Sequence, residues 1–231
     1  MQKKWQCGII PNMSILSSSE ITCHCGEVFE ADLWTAVSIS ENPELKDIIT
    51  SGMFNVVECP KCKHLFYNEI FFIYQDISSE LIAYVYPKDY EKQAKYYRKK
   101  MLDEFKEIVK SMKEAKDINF EPVLFFGIED LISTLKNEDF LNDEIQIADF
   151  ISKRIGLELI EIKHSAARNL CIPNLIPQIK KSSGNNIKDI IAGLEKLLSY
   201  NENLIEYEKL LVRIKQNPSC LDEILTHKSK K

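Results

Sequence analysis

The chain has 231 residues, 45% of them hydrophobic and 28% charged, which is enough apolar material for one large domain or two small ones without covalent staples. A net charge of −5 weighs against unspecific binding to DNA or RNA, where clustered Lys and Arg must displace counterions. Seven cysteines, an odd number, fit a reduced compartment better than a secreted disulfide scaffold.

Residues 1–19 read as a loosely held arm. Lys3 and Lys4 precede an apolar stretch, but Gln6, Gly8, Pro11, Asn12 and Ser14 interrupt it, so it lacks the continuous core of a secretory leader. No apolar run approaches the ~20 residues of a membrane span. The expected location is therefore the cytoplasm, with no membrane partner. Trp5, Ile9 and Ile10 are candidate docking residues, Cys7 is a bystander, and Ser17, Ser18 and Ser19 read as a linker.

The alternation of Phe29, Ala31, Leu33, Val37 and Ile39 with polar residues predicts a half-buried strand over 28–39. Trp34 breaks its polar face and is placed to cover a metal site or a second layer. Asn42-Pro43-Glu44 is a helix start with Asn as the cap. Leu45, Ile48 and Ile49 form its apolar stripe, and Gly52 ends it. A short strand over 54–57 follows, then strands over 65–74 and 81–86 joined by a hairpin loop at 76–80. Pro87 closes this sheet.

The pattern changes at Lys88. Tyr90, Ala94, Tyr97, Met101, Phe105, Ile108 and Met112 are spaced as one helix face, predicting a long helix over 89–116. At ~1.5 Å per residue it spans about 40 Å, long enough to pack along the C-terminal helices or to form a homodimer. The dense basic run at 95–100 is followed by Asp103, Glu104 and Glu107 and reads as a solvated face. Further on, the sequence predicts a strand over 120–126, a helix over 128–135, and a second helix capped by Asp143 and ended by Gly156. A strand over 157–162 follows. Residues 165–185 read as irregular, with a turn at 182–185. Helices over 187–200, 204–214 and from Pro218 to Leu225 complete the chain, and the tail from His227 is expected to fray. The fold class is α+β: a small antiparallel zinc-ribbon-like sheet with an inserted helix, then a mostly α-helical half with two short strands. The domain boundaries that follow are an arm at 1–19, a cysteine-bearing module at 20–87 and a helical region at 88–231.

The chemistry lies in four cysteines. Cys23 and Cys25 sit in Cys23-His24-Cys25-Gly26, and Cys59 and Cys62 in Cys59-Pro60-Lys61-Cys62. A Cys-x-x-Cys turn aims two thiolates at one point, and Pro60 stiffens it. Gly26 permits a tight turn after the first pair, which is one residue shorter than usual. Two such pairs, each at a sheet turn and far apart in sequence, point to one structural Zn²⁺ held by four thiolates. A catalytic zinc needs an open fourth position, usually beside His or carboxylate ligands. Lys61 and Lys63 are placed to offset the negative charge of the centre. His24 and His64 read as flanking imidazoles, with replacement of one short-pair thiolate as the sharper alternative. Such a site is worth roughly 10–16 kcal/mol of folding, against a typical net stability of ~5–15 kcal/mol. No phosphate-binding Gly loop and no His-Glu-x-x-His is present. His164 near Cys171 carries little weight as a catalytic pair. Cys171 and Cys220 fit no metal spacing, and no catalytic set emerges, so the chain reads as a non-enzyme.

The segment from Ile21 to Glu27, with Phe29-Glu30-Ala31, Trp34, Pro43-Glu44-Leu45, Gly52, Asn55-Val56, Cys59-Pro60-Lys61-Cys62 and Tyr74-Gln75-Asp76, resembles the CpXC family. Phe126-Gly127-Ile128-Glu129-Asp130-Leu131 is similar to a downstream element of such proteins. The likeness covers roughly residues 20–160. It implies metal binding at Cys23, Cys25, Cys59 and Cys62, and no reaction. The first pair departs from Cys-Pro-x-Cys, leaving the geometry of that turn open. Three functions compete. One is a non-catalytic protein-interaction module on a zinc-clipped platform. A second is a redox-responsive zinc switch, since the cysteine pattern also resembles that of a redox-regulated heat-shock chaperone. The third is nucleic-acid binding by the ribbon through Lys61, Lys63, His64 and the following aromatic strand, against which the net acidity weighs.

Overall fold

The computed structural model describes residues 13–111, 118–179 and 187–229. Trp5, Cys7, Ile9, Ile10, Met112, the predicted helix end at 116 and the turn at 182–185 lie outside the described residues. The chain divides into two compact units, Met1–Leu135 and Lys136–Lys231. These boundaries differ from the 19/20 and 87/88 divisions expected from the sequence.

The first unit is built on a five-stranded sheet. Its strands are β1 (Ile15–Thr22), β2 (Val28–Ser38), β5 (Phe72–Asp76), β6 (Leu81–Tyr86) and β7 (Val123–Phe126), in the order β1-β2-β5-β6-β7. β1 pairs antiparallel with β2, and β5 with β6, but β2 with β5 and β6 with β7 run parallel. The sheet is thus mixed rather than purely antiparallel. Between β2 and β5 the chain forms α1 (Glu44–Thr50) and an antiparallel pair, β3 (Val56–Glu58) with β4 (Leu65–Tyr67). The strand expected over 65–74 is therefore two strands in two sheets.

β6 is buried along its whole length because both faces of the sheet are covered. Leu81, Ala83 and Val85 face a core with Leu45 and Ile49 of α1 and with Leu131 and Leu135. Trp34 packs against this same core, so it serves the second layer. Ile82, Tyr84 and Tyr86 face the opposite way, onto Met101 and Phe105. Those two belong to α2 (Ala94–Ser111), which follows a 3-10 helix over Lys88–Gln93. The apolar stripe of α2 thereby packs on its own sheet. Its covering role, and the pairing of β7 with β6, carry the first unit well past Pro87.

Three local expectations are corrected. Ser17, Ser18 and Ser19 are not a linker but lie in β1, opposite Leu33, Asp32 and Ala31. Serine favours turns locally, but ladder hydrogen bonds to β2 and a 3.3 Å contact between the Ser17 and Thr35 hydroxyls override that preference. Asn42 does not cap α1: its amide donates to Glu44, and Pro43 takes the capping position. Asp143 caps nothing either, because a single helix, α3 (Glu129–Ile155), runs through it. Neither Gly nor Pro interrupts residues 128–155, and Gly156 ends the helix with φ +71°.

In the second unit β8 (Leu157–Glu161) pairs antiparallel with β9 (Leu175–Ile179). Between them lies α4 (His164–Leu170), so much of the segment expected to be irregular is ordered. Pro177 sits in β9 opposite Leu159; a two-stranded sheet has only edges, where proline is tolerated. α5 (Ile187–Tyr200), α6 (Ile205–Gln216) and α7 (Cys220–Thr226) complete the unit around Ile176, Leu194, Tyr207 and Ile214. α5 crosses β9 so closely that a Cβ on Gly193 would stand 2.6 Å from Gln178 Cα and Pro177 O. The described part of the tail, His227 to Ser229, is tied down: Lys163 N–H donates to His227 O, and Ser229 N–H to Glu161 O.

Candidate metal centre

Two hairpin turns carry the four cysteines. The β1–β2 turn holds Cys23 and Cys25, and the β3–β4 turn holds Cys59 and Cys62. A small core joins the hairpins: Ile21 and Leu33 from the first meet Val57 from the second, flanked by Phe29 and Phe66. The apolar alternation of these short strands therefore brings the turns together.

Each turn is closed by backbone hydrogen bonds. Gly26 N–H donates to Cys23 O, and Cys23 N–H to Glu27 O, both at 2.8 Å. Gly26 has φ +85°, so the short Cys-x-Cys pair is accommodated by a left-handed glycine. In the second turn Lys63 N–H donates to Cys59 O, and Cys59 N–H to His64 O, both at 3.0 Å. Here the left-handed position falls on Lys63, with φ +61°.

All four Sγ atoms lie within 4.8 Å of one another. The Cys23–Cys62 separation is 3.6 Å and the Cys25–Cys59 separation 3.7 Å. A disulfide would need about 2.0 Å. A tetrahedron with metal–sulfur bonds of ~2.3 Å has edges of about 3.8 Å. The thiols thus fit a four-coordinate metal site. Cys23 and Cys59 are buried, and Cys25 and Cys62 are exposed.

Backbone amides shape the acidity of these thiols. The Cys25 N–H pulls the Cys23 thiol down, but burial and the neighbouring thiols overcome it and push Cys23 up to about 12. Burial also pushes Cys59 upward, but the N–H groups of Cys62 and Lys61, with the Cys23 and Cys62 thiols, bring it down to about 7. The His64 N–H lowers Cys62 likewise, although burial and the Cys59 and Cys25 thiols leave it raised. Donors of this kind stabilise thiolate, the form a metal binds.

The remaining predicted residues fall around this cluster. His24 and His64 are exposed and meet edge to face, with ring centroids 4.5 Å apart. His24 Nδ1 stands 3.5 Å from Cys23 Sγ, and neither ring belongs to the four-sulfur group. Lys61 pairs with Glu27 and Lys63 with Glu58, each at 3.1 Å. The two lysines are thus partly neutralised by carboxylates, which weakens the basic face they would offer a nucleic acid. His164 and Cys171 make separate contacts: the imidazole Nε2 is 3.2 Å from Asn174 Nδ2, and the thiol donates to Arg168 O. Cys220 is a core thiol.

Asn55 enters the sequence reading only through the family likeness, with no role assigned. It has φ +51°, and its amide bonds both backbone groups of Trp34, anchoring the chain just before β3 and Cys59. Its position, three residues after Gly52 and between the apolar Phe54 and Val56, was the available sign.

No helix among the described residues is long and apolar enough to cross a membrane. The family model described as CpXC protein matches residues 21–138, just over half of the chain and both cysteine turns. No curated protein and no solved structure matches it.

Proposed function

The chain belongs to the CpXC family, and from that premise we propose that it is a non-catalytic zinc protein whose four thiolates clip together a platform for binding another protein. The observation that carries the reading is the spacing of the sulfurs, 3.6 and 3.7 Å across the two turns, close to the edge of a zinc–thiolate tetrahedron. Cys23, Cys25, Cys59 and Cys62 would hold the ion. An all-thiolate shell supplies rigidity and leaves no position for a substrate, unlike catalytic zinc. Thiolates kept free of disulfide chemistry suit a reducing compartment such as the cytoplasm.

The test is elemental analysis of protein purified under reducing conditions. One zinc per chain that survives dialysis, and is lost together with folded structure in Cys59→Ser, is the expected result. Cobalt substitution reads the shell: intense visible bands independent of pH mark four sulfurs, whereas bands that move with pH mark a bound water and overturn the structural reading.

A redox switch at the same site is favoured by one further observation. Cys25 and Cys62 are exposed, and each stands next to a buried thiol of the opposite turn. Peroxide could oxidise each such pair to a disulfide, itself reduced to water, with release of the ion. Zinc retained under mild peroxide, with unchanged binding of a hydrophobic dye, would rule this out.

A further inference from the structure

The second half of α3 presents a second apolar seam, separate from the face it packs into its own unit. Glu144, Ala148 and Ser152 of α3 are buried. Phe140, Ile147 and Phe150 are instead 53%, 44% and 60% exposed. Together with Asp143 and Arg154 they fall at positions 140, 143, 147, 150 and 154, steps of three and four residues. That is the a/d spacing of a coiled-coil seam. Ile147 and Phe150, one turn apart and both exposed, form an apolar pair flanked by Asp143 and Arg154.

We infer that this seam pairs with the same seam of a second copy, antiparallel, through Asp143, Ile147, Phe150 and Arg154. The charges select the direction. In an antiparallel pair each a position faces a d position of the other helix. Setting Ile147 against Phe150 of the second copy then sets Asp143 against Arg154, and the twofold axis repeats both contacts. Two apolar layers are thus closed at each end by an ion pair. A parallel pair would set Asp143 against Asp143 and Arg154 against Arg154, and like charges disfavour it. Arg154 already lies over its own Phe150, 5.7 Å from the ring centroid, so its guanidinium is held at the seam. The face differs from the stripe of α2, which its own sheet covers.

Sedimentation equilibrium of the full chain, up to roughly 1 mM so that a weak dimer registers, is the test. A monomer–dimer equilibrium is expected. Asp143→Arg alone and Arg154→Asp alone should each weaken it by about tenfold or more. The double variant should restore it, because antiparallel pairing then exchanges the two partners. These positions are exposed, and circular dichroism of each variant confirms that the fold is kept. A monomer throughout the range overturns the inference. So does a dimer indifferent to both single variants, or one that the double variant fails to restore.

Discussion

Asn55 occupies both backbone groups of Trp34: its Oδ1 accepts the Trp34 N–H at 2.8 Å, and its Nδ2 donates to the Trp34 carbonyl at 3.0 Å. β2 acquires its partner β5 only from Ala36 onward, so Asn55 stands in for a strand at Trp34. The same residue lies at the entrance to β3, which leads into Cys59. One side chain thus ties the main sheet to the hairpin that carries half of the metal site.

Asn55→Ala should therefore cost about 2–6 kcal/mol, since two backbone groups lose their partners at roughly 1–3 kcal/mol each. Urea unfolding measures it. Asn55→Gly separates the causes, because glycine accepts the left-handed backbone but makes neither bond. A loss as large as that of Ala assigns the effect to the hydrogen bonds, and a change within about 0.5 kcal/mol for both removes the clamp from the account.

Stripping the proposed metal should act on one unit. The four candidate cysteines all lie in Met1–Leu135, whereas the core around Leu194, Tyr207 and Ile214 contains none of them. Chelation at neutral pH is expected to lower or abolish the thermal transition of the first unit, given a site worth ~10–16 kcal/mol. The second transition should stay in place. Calorimetry with and without chelator checks this, and a single transition that moves as a whole would contradict it.

Gly193→Ala should destabilise the second unit by about 1–3 kcal/mol, although alanine is the better helix former by ~1 kcal/mol. The new methyl would meet the backbone of Pro177 and Gln178, which cannot rotate away. A thermal melt that rises in this variant would show that α5 can move off β9.

Tyr207 is fully buried and its hydroxyl donates to Leu175 O. Burial pushes its phenol well above the ordinary value of 10.0, with the Glu144 carboxylate adding to the shift. The sign follows: the folded state holds the proton more tightly than the unfolded state. The stabilisation is complete below pH 10 and declines as the pH rises above it. Tyr207→Phe should lose about 1 kcal/mol at neutral pH and flatten the alkaline decline of stability. An unchanged slope above pH 10 would assign that decline to other groups.

Much of the metal site was legible in the sequence because a chelating turn is a local device. Cys59-Pro60-Lys61-Cys62 declares its geometry in four residues, and Cys23-His24-Cys25-Gly26 carries the glycine its tighter turn requires. Strongly periodic elements were legible for the same reason: α5 spans Ile187–Tyr200, as its apolar spacing predicts. Other features depended on partners distant in the chain. The Ser17-Ser18-Ser19 stretch has no local reason to be a strand, and only the β2 ladder makes it one. The direction of β7 beside β6, the continuity of α3 through Asp143, and the ordering of residues after Cys171 against β8 are likewise set by packing. Local chemistry marked the four cysteines as a candidate metal site and the most strongly periodic segments as helices. Burial against non-local neighbours decided strand order, the double coverage of β6 and the placing of two cysteine turns at one point, because those free energies exist only when separate parts of the chain meet.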